Sequence, residues 1–210
     1  MGGRPVLAWP LTTLDAHEAI VSIVVVVRAG DEAAFRELLR ELDLATPVHT
    51  VIGGASRSAS EQAAFEMLSP TVEAGGLDLV VVHDGARPFV TLDLVDRVVQ
   101  AADEHGAAVP GLGPERPAYR LDGSRTAVLL DPTRLRRVQT PQGFAAEPLL
   151  SAYRRAARKG FEGVDTSEVV QHHTGLAAVV VEGDPDNIKL TTRSDLTRAE
   201  EIASRFEPTG

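Results

Sequence analysis

The sequence predicts an α/β fold, a doubly wound sheet with right-handed crossovers in one domain, and three observations point to it. Apolar runs without polar alternation recur along the chain, as in parallel strands buried on both faces. Amphipathic stretches with helical spacing lie between them, so the order is βαβαβ. The length, 210 residues, is enough for one full core and too short to suggest two. In such a sheet the ligand belongs at the carboxyl ends of the strands.

Taken in order, Gly2-Gly3-Arg4-Pro5 opens a helix with Pro5 near its first turn. Pro10 falls where it would remove a hydrogen bond, so this helix is expected to be short or kinked. Residues 20–27 and 48–52 read as strands. Between them, residues 31–42 carry Phe35, Leu38, Leu39 and Leu42 at helical spacing behind an Asp31 cap. A third strand is expected over 77–82, a helix over 91–104 with Leu94, Val95, Val98 and Val99 on one face, and further strands over 107–109 and 176–181. Residues 110–137, rich in Pro and Gly with an Asp122-Gly123 turn signal, read as an excursion from the main sheet. Residues 139–144 hold no ionisable group and read as a loop. Asp165 caps a helix, Lys189 lies on a short strand before a helix that begins near Ser194, and residues 207–210 read as a frayed end.

Composition narrows the function. A net charge of -9 offers no basic face to a phosphate backbone, so nucleic acid is not an expected partner. No apolar run approaches bilayer length, which excludes a membrane-spanning helix, and no cysteine is present for disulfides, thiolate catalysis or thiolate zinc sites. No leader pattern follows Met1, and the expected location is the cytoplasm.

The sharpest motif is His83-Asp84-Gly85-Ala86-Arg87-Pro88, directly after an apolar strand. A carboxylate there can hold Mg²⁺ or a sugar hydroxyl, and an Arg three residues on can grip a phosphate; an Asx-type turn with an exposed Arg-Pro exit accounts for the same residues. Gly53-Gly54-Ala55-Ser56-Arg57-Ser58-Ala59-Ser60 joins a strand to a helix, so its amides suit a nucleotide, although a Ser-capped turn reads the same way. Lys189, among apolar neighbours, is a phosphate candidate or an edge-strand Lys facing water. His83 reads as a packed strand-end residue, and the six histidines show no metal-ligand spacing.

In this order His83 to Pro88, Gln139-Thr140-Pro141-Gln142, Asn187-Ile188-Lys189-Leu190-Thr191 and the Gly53 to Ser60 segment resemble the 2-C-methyl-D-erythritol 4-phosphate cytidylyltransferase family over nearly the whole chain. The resemblance implies a Rossmann-like nucleotidyltransferase sheet, a homodimer made through a protruding β-arm at about 110–137, and CTP and Mg²⁺ as partners. It also implies direct attack of a sugar phosphate on the α-phosphorus. Lys189, Asp84 and Arg87 become the catalytic residues; Gly53, Gly54, Arg57 and Ser60 border the nucleotide; Asp84, Arg87, Thr140 and Asp165 face the sugar phosphate; and Asp84 is the metal ligand.

The chain also departs from the family pattern. The family's first strand and its Gly-rich, Arg- and Pro-Lys-bearing loop have no counterpart after Met1, so poor turnover with retained fold and weak CTP recognition is expected of these residues. The arm carries Arg116-Pro117-Ala118-Tyr119 where the family has Asp-Thr-x-x-Lys, Ala146 stands at an expected basic position, and an acidic pair is reduced to Asp165-Thr166. These changes keep a second polyol phosphate acceptor, such as ribitol 5-phosphate, and a non-catalytic dimeric paralogue as alternatives. A dinucleotide-dependent dehydrogenase is disfavoured, because no Gly-x-Gly-x-x-Gly turn follows a strand.

Overall fold

The structure, a computed structural model, describes residues 2–123 and 127–206. The expected frayed end at 207–210 lies outside the described residues. In chain order the elements are α1 (Ala8–Asp15), β1 (Ile23–Val27), α2 (Glu32–Leu42), β2 (Val48–Ile52), α3 (Arg57–Glu73), β3 (Leu79–Val82), α4 (Leu92–His105) and β4 (Ala107–Leu112). Then follow the hairpin β5 (Tyr119–Leu121) and β6 (Ala127–Leu129), β7 (Arg137–Val138), β8 (Gln142–Ala145), α5 (Ala146–Lys159), α6 (Thr166–Thr174), β9 (Val179–Glu182) and α7 (Arg193–Ala203).

Local chemistry sets several of these boundaries. Pro10 is the third residue of α1, inside the first turn, where its missing N–H has no helical partner to lose, so contrary to expectation it removes no hydrogen bond; the helix spans eight residues and starts after Pro5 rather than at it. Thr91 accepts from the Leu94 amide and caps α4, whereas the expected Asp31 cap of α2 forms no side-chain bond, and Glu32 accepts from Gly30 N instead. Asp43 ends α2 in the left-handed region at φ 48°, a conformation that costs a non-glycine residue.

The sheet differs from the expected doubly wound parallel one in two ways. It is mixed, because β8 runs antiparallel between β3 and β4, while β9 pairs parallel with β4 on its other side. Residues 139–144, expected as a loop, thus supply a central strand. Gly143 shows why polarity misled: a Cβ there would lie 2.8 Å from Ala102 Cβ and 3.0 Å from Val98 Cγ1, so close packing of α4 on β8 selects glycine and not an apolar side chain. The sheet is also divided. β1 and β2 form a separate parallel pair, and no ladder joins β1 to β3 among the described residues. Their facing edges, Ile23 to Val26 and Leu79 to Val82, line a largely apolar cavity of about 990 Å³.

Most of the core lies beside the larger sheet. Phe144, Ala107, Leu149, Val169 and Val170 are fully buried between β3, β8, α5 and α6, and Val90, Leu94 and Val95 anchor α4. Between β4 and β7 the chain leaves the larger sheet, β5 and β6 pair in a hairpin, and β7 returns to β4, while residues 110–112 remain part of β4.

Candidate active site

β3 delivers Asp84 to the carboxyl end of the larger sheet, and the two expected cations meet on it. Lys189 Nζ lies 3.0 Å and Arg87 Nε 3.4 Å from the same atom, Asp84 Oδ2. Burial raises the Asp84 pKa, but the Lys189 hydrogen bond and charge, followed by the Arg87 charge, outweigh it and leave it below the usual carboxylate value. The site thus presents one carboxylate with two cations, an excess of positive charge suited to phosphate.

The polar scaffold beneath these groups comes from the residues that lacked an obvious role. Thr140 Oγ1 accepts from Asp84 N at 2.9 Å and lies 3.2 Å from His83 Nδ1, and His83 Nε2 lies 3.0 Å from the Arg87 carbonyl. A consistent assignment has the hydroxyl donating to Nδ1 and Nε2–H donating to the carbonyl. Burial, opposed by that backbone bond, pushes the His83 pKa down to about 4, so the ring is neutral near pH 7. Asn187, fully buried, donates from its side-chain Nδ2 to Thr140 O at 2.8 Å, and its backbone carbonyl accepts from Arg87 Nη1 at 2.8 Å and Gln139 Nε2 at 3.1 Å. Gln139 also spans to residue 184, donating to Asp184 O and accepting from Asp184 N.

Lys189 reaches Asp84 from an irregular segment and not from the strand expected for it. The chain turns at Asp184 to Asn187, beyond β9, and Leu190 N donates to Ala86 O at 2.8 Å, which ties the backbone of this segment to that of the strand-end loop. Downstream, the Asp195 carboxylate accepts from the Thr191 and Thr192 amides, which drives its pKa down to about 2 and fixes the entry to α7.

The Gly53 to Ser60 segment forms a second wall. Ser56 caps α3 by accepting from Ala59 N, and Ser60 Oγ donates to Ser56 O. The glycines are required by packing: a Cβ on Gly54 would lie 2.5 Å from Ala59 Cβ, and one on Gly53 would lie 2.9 Å from Ser60 Oγ. This loop, with Val26 to Ala29, lines a cavity of about 460 Å³. Arg57 and Ser60 also border the 990 Å³ cavity, together with His83, Asp84 and Gly85, so the Gly53 to Ser60 segment and the strand-end carboxylate share one space.

Arg57 and Asp165 are engaged by the protein itself. Arg57 donates to Val164 O and Thr166 Oγ1 and pairs with Glu61. Asp165 caps α6: Oδ1 accepts from Glu168 N at 2.9 Å, while Oδ2 accepts from Gln142 Nε2 at 3.3 Å. Glu61 and Tyr153 were not singled out in the sequence; the signal for Glu61 was its i,i+4 spacing from Arg57 on a helix.

For a metal, the described residues offer no group of three His, Cys, Asp or Glu side chains. Asp84 alone, with Oδ2 taken by two cations, leaves Oδ1 as an acceptor; one carboxylate beside substrate phosphates is the donor set Mg²⁺ commonly uses.

The chain matches the family described as 2-C-methyl-D-erythritol 4-phosphate cytidylyltransferase over residues 1–205. It is 38% identical over 200 residues to the protein of that name from Bacillus velezensis, covering 95% of this chain and 84% of that one. Its fold is similar to 4-diphosphocytidyl-2C-methyl-D-erythritol synthase of Anaerococcus prevotii, with TM-score 0.88, 25% identity, and 98% of this chain and 88% of that chain covered. The cytidylyltransferase of Thermus thermophilus aligns with TM-score 0.75 and 34% identity over 97% of this chain and 91% of that one.

Proposed function

Since the chain belongs to the 2-C-methyl-D-erythritol 4-phosphate cytidylyltransferase family, we propose that it transfers the cytidylyl group of CTP to 2-C-methyl-D-erythritol 4-phosphate and releases pyrophosphate, a step toward isoprenoid precursors. The observation that carries this reading is the meeting of Lys189 and Arg87 on Asp84 Oδ2, at a cavity shared with Ser60 and Arg57.

In this reading an acceptor phosphate oxygen attacks the α-phosphorus, the bond to the β-phosphate bridging oxygen breaks, and pyrophosphate carries away the charge. Such transfers depend on positioning and charge stabilisation and need no covalent enzyme intermediate. Lys189, mobile on a four-carbon stem and half-exposed, exchanges Asp84 for the α-phosphoryl oxygens. Arg87, pinned by the Asn187 carbonyl, keeps its place and orients the acceptor phosphate. Thr140 acts mainly through the backbone of Asp84, since its hydroxyl already serves His83 and that amide. Mg²⁺, held by Asp84 and substrate phosphate oxygens, supplies further charge neutralisation when bound.

The β5–β6 hairpin exposes Tyr119, Leu121 and Leu129, which supports a homodimer formed through the arm. The described residues contain no helix long and apolar enough to cross a membrane. A reaction that consumes CTP supports a cytoplasmic location.

Pyrophosphate release from CTP, Mg²⁺ and methylerythritol phosphate tests the reading, with ribitol 5-phosphate as the competing acceptor. Lys189→Ala is expected to lower kcat by about 10²- to 10³-fold, the effect of removing one charge-stabilising donor. Turnover with ribitol 5-phosphate alone would replace the acceptor, and an unchanged rate in Lys189→Ala would remove Lys189 from the chemistry.

A further inference from the structure

Glu61 lies on the first turns of α3, and its side chain is largely buried. Its two oxygens meet three groups from three elements. Oε1 pairs with Arg57 Nη2 at 2.7 Å and accepts from Thr166 Oγ1 at 3.2 Å; Oε2 accepts from the Tyr153 hydroxyl of α5. Arg57, so held, donates at 3.3 Å to Val164 O and at 3.2 Å to Thr166 Oγ1, the residues on either side of Asp165. Thr166 is fully buried and Tyr153 nearly so. Burial raises the Glu61 pKa against the hydrogen bond from Tyr153 and the charge of Arg57, and burial followed by the Glu61 charge raises that of Tyr153. The network is internally satisfied, which is when a buried polar cluster rigidifies its surroundings.

We infer that Glu61 is a positioning residue that ties the nucleotide-side loop to the amino end of α6, fixing Arg57 and Asp165 relative to each other across the mouth of the site. The inference rests on the cytidylyltransferase reading for its substrates and on geometry for the link itself. The loop at 53–60 and the cap at Asp165 share no backbone ladder; in the described residues they are joined through Arg57, Glu61 and Thr166. Without the Glu61 carboxylate, Arg57 loses the charge that holds its fork against residues 164–166, and Tyr153 loses a buried acceptor. The α6 amino end then moves apart from the loop, while Asp84, Lys189 and Arg87, supported by Thr140 and Asn187, stay in place.

Such a link has a kinetic signature. Glu61→Ala is expected to raise the KM for the acceptor about tenfold, the size of effect seen within one contact network, while kcat changes by less than about threefold. Glu61→Gln, nearly isosteric, is expected to fall between this variant and the wild type and guards against misfolding. In an Arg57→Ala background the Glu61→Ala effect should largely vanish, since the two act through one connection. Equal losses in kcat and KM, or additive effects of the two substitutions, would make Glu61 a packing residue only and overturn the inference. Amide exchange over residues 164–169 reads the link without any turnover. It should speed up in Glu61→Ala relative to that over β4, and no change there overturns the inference even if the wild-type chain transfers nothing. Failure of the wild type to transfer is a separate result, and it counts against the cytidylyltransferase reading instead.

Discussion

The two parts of the sheet are built to different standards. In the larger one, Ala107 to Val109 of β4 and Phe144 of β8 are essentially inaccessible, and α4, α5 and α6 close over them. In the β1–β2 pair Ile23 alone is buried, the rest of β1 is half-exposed, and Ile52 is 53% exposed. Its core reduces to Leu11, Ile23 and Phe35 with partly buried leucines of α2 around them. The groups that hold Asp84, Arg87 and Lys189 stand on the well-packed part, and the Gly53 to Ser60 loop hangs from the thin one. Local opening follows packing, so the charge-bearing centre is expected to stay ordered while the Gly53 to Ser60 wall yields first.

Truncating one ring in each part tests this most forcefully. Phe144→Ala removes a fully buried ring and should cost about 4 to 5 kcal/mol, enough to unfold much of the protein; Phe35→Ala, in the smaller and less enclosed core, should cost closer to about 3 kcal/mol. Urea unfolding measures both. Equal costs would mean that the two parts form one cooperative core.

Function should divide along the same line. Gly54→Ala drives a methyl into Ala59 and lifts the loop off α3, leaving Asp84 and Lys189 untouched. The KM for CTP is then expected to rise about tenfold with kcat nearly unchanged, a loss of binding shared by ground and transition states. A fall in kcat of similar size would show that loop and charge centre move together.

The sequence revealed the strands and helices wherever a long side chain reports burial, as with Leu94, Val95 and Val98 on α4. It hid β8, because a strand gripped tightly by a helix needs glycine at 143 and because Gln142, buried for its hydrogen bonds to Gln139 O and Asp165, looks solvent-facing in a string of letters. Asp84, Arg87 and Lys189 were legible through their charge in an apolar setting, and the structure gathers them on one atom. The commitment of Arg57 to residues 164–166 was not legible, since it depends on two segments more than a hundred positions apart. Nor does alternation or its absence show which strands pair, so the split between β1 and β3 left no trace in the local pattern.

Acid should act on the well-packed part through His83. Its folded pKa, about 4, lies below the 6.5 of an unfolded imidazole, so the fold favours the neutral ring. The unfolded chain binds the extra proton between these values; the associated stability is complete above pH 6.5 and is lost as pH falls toward 4. At pH 5 the loss is about 2 kcal/mol. Unfolding of the wild type at pH 7 and 5, set against His83→Gln, isolates this contribution. An equal pH dependence in the variant would assign the acid sensitivity to other groups.

The smallest effect concerns the thin part alone. Asp43 ends α2 at φ 48°, the one non-glycine residue in the left-handed region among the described residues. Its amide still donates to Leu39 O, so the backbone must keep this shape for the helix to close, and the strain stays with the side chain. Glycine adopts the same shape freely but loses more entropy on folding, and the two effects leave Asp43→Gly about 0.5 to 1 kcal/mol more stable. Where the gain appears is the informative part. If β1 and β2 open before the rest, amide exchange over 23–27 and 48–52 should slow by about the factor this energy implies, roughly two- to fivefold, with the urea midpoint almost unmoved. If the whole molecule unfolds as one unit, the midpoint rises with it, and the contrast between the two parts describes packing density without a difference in local stability.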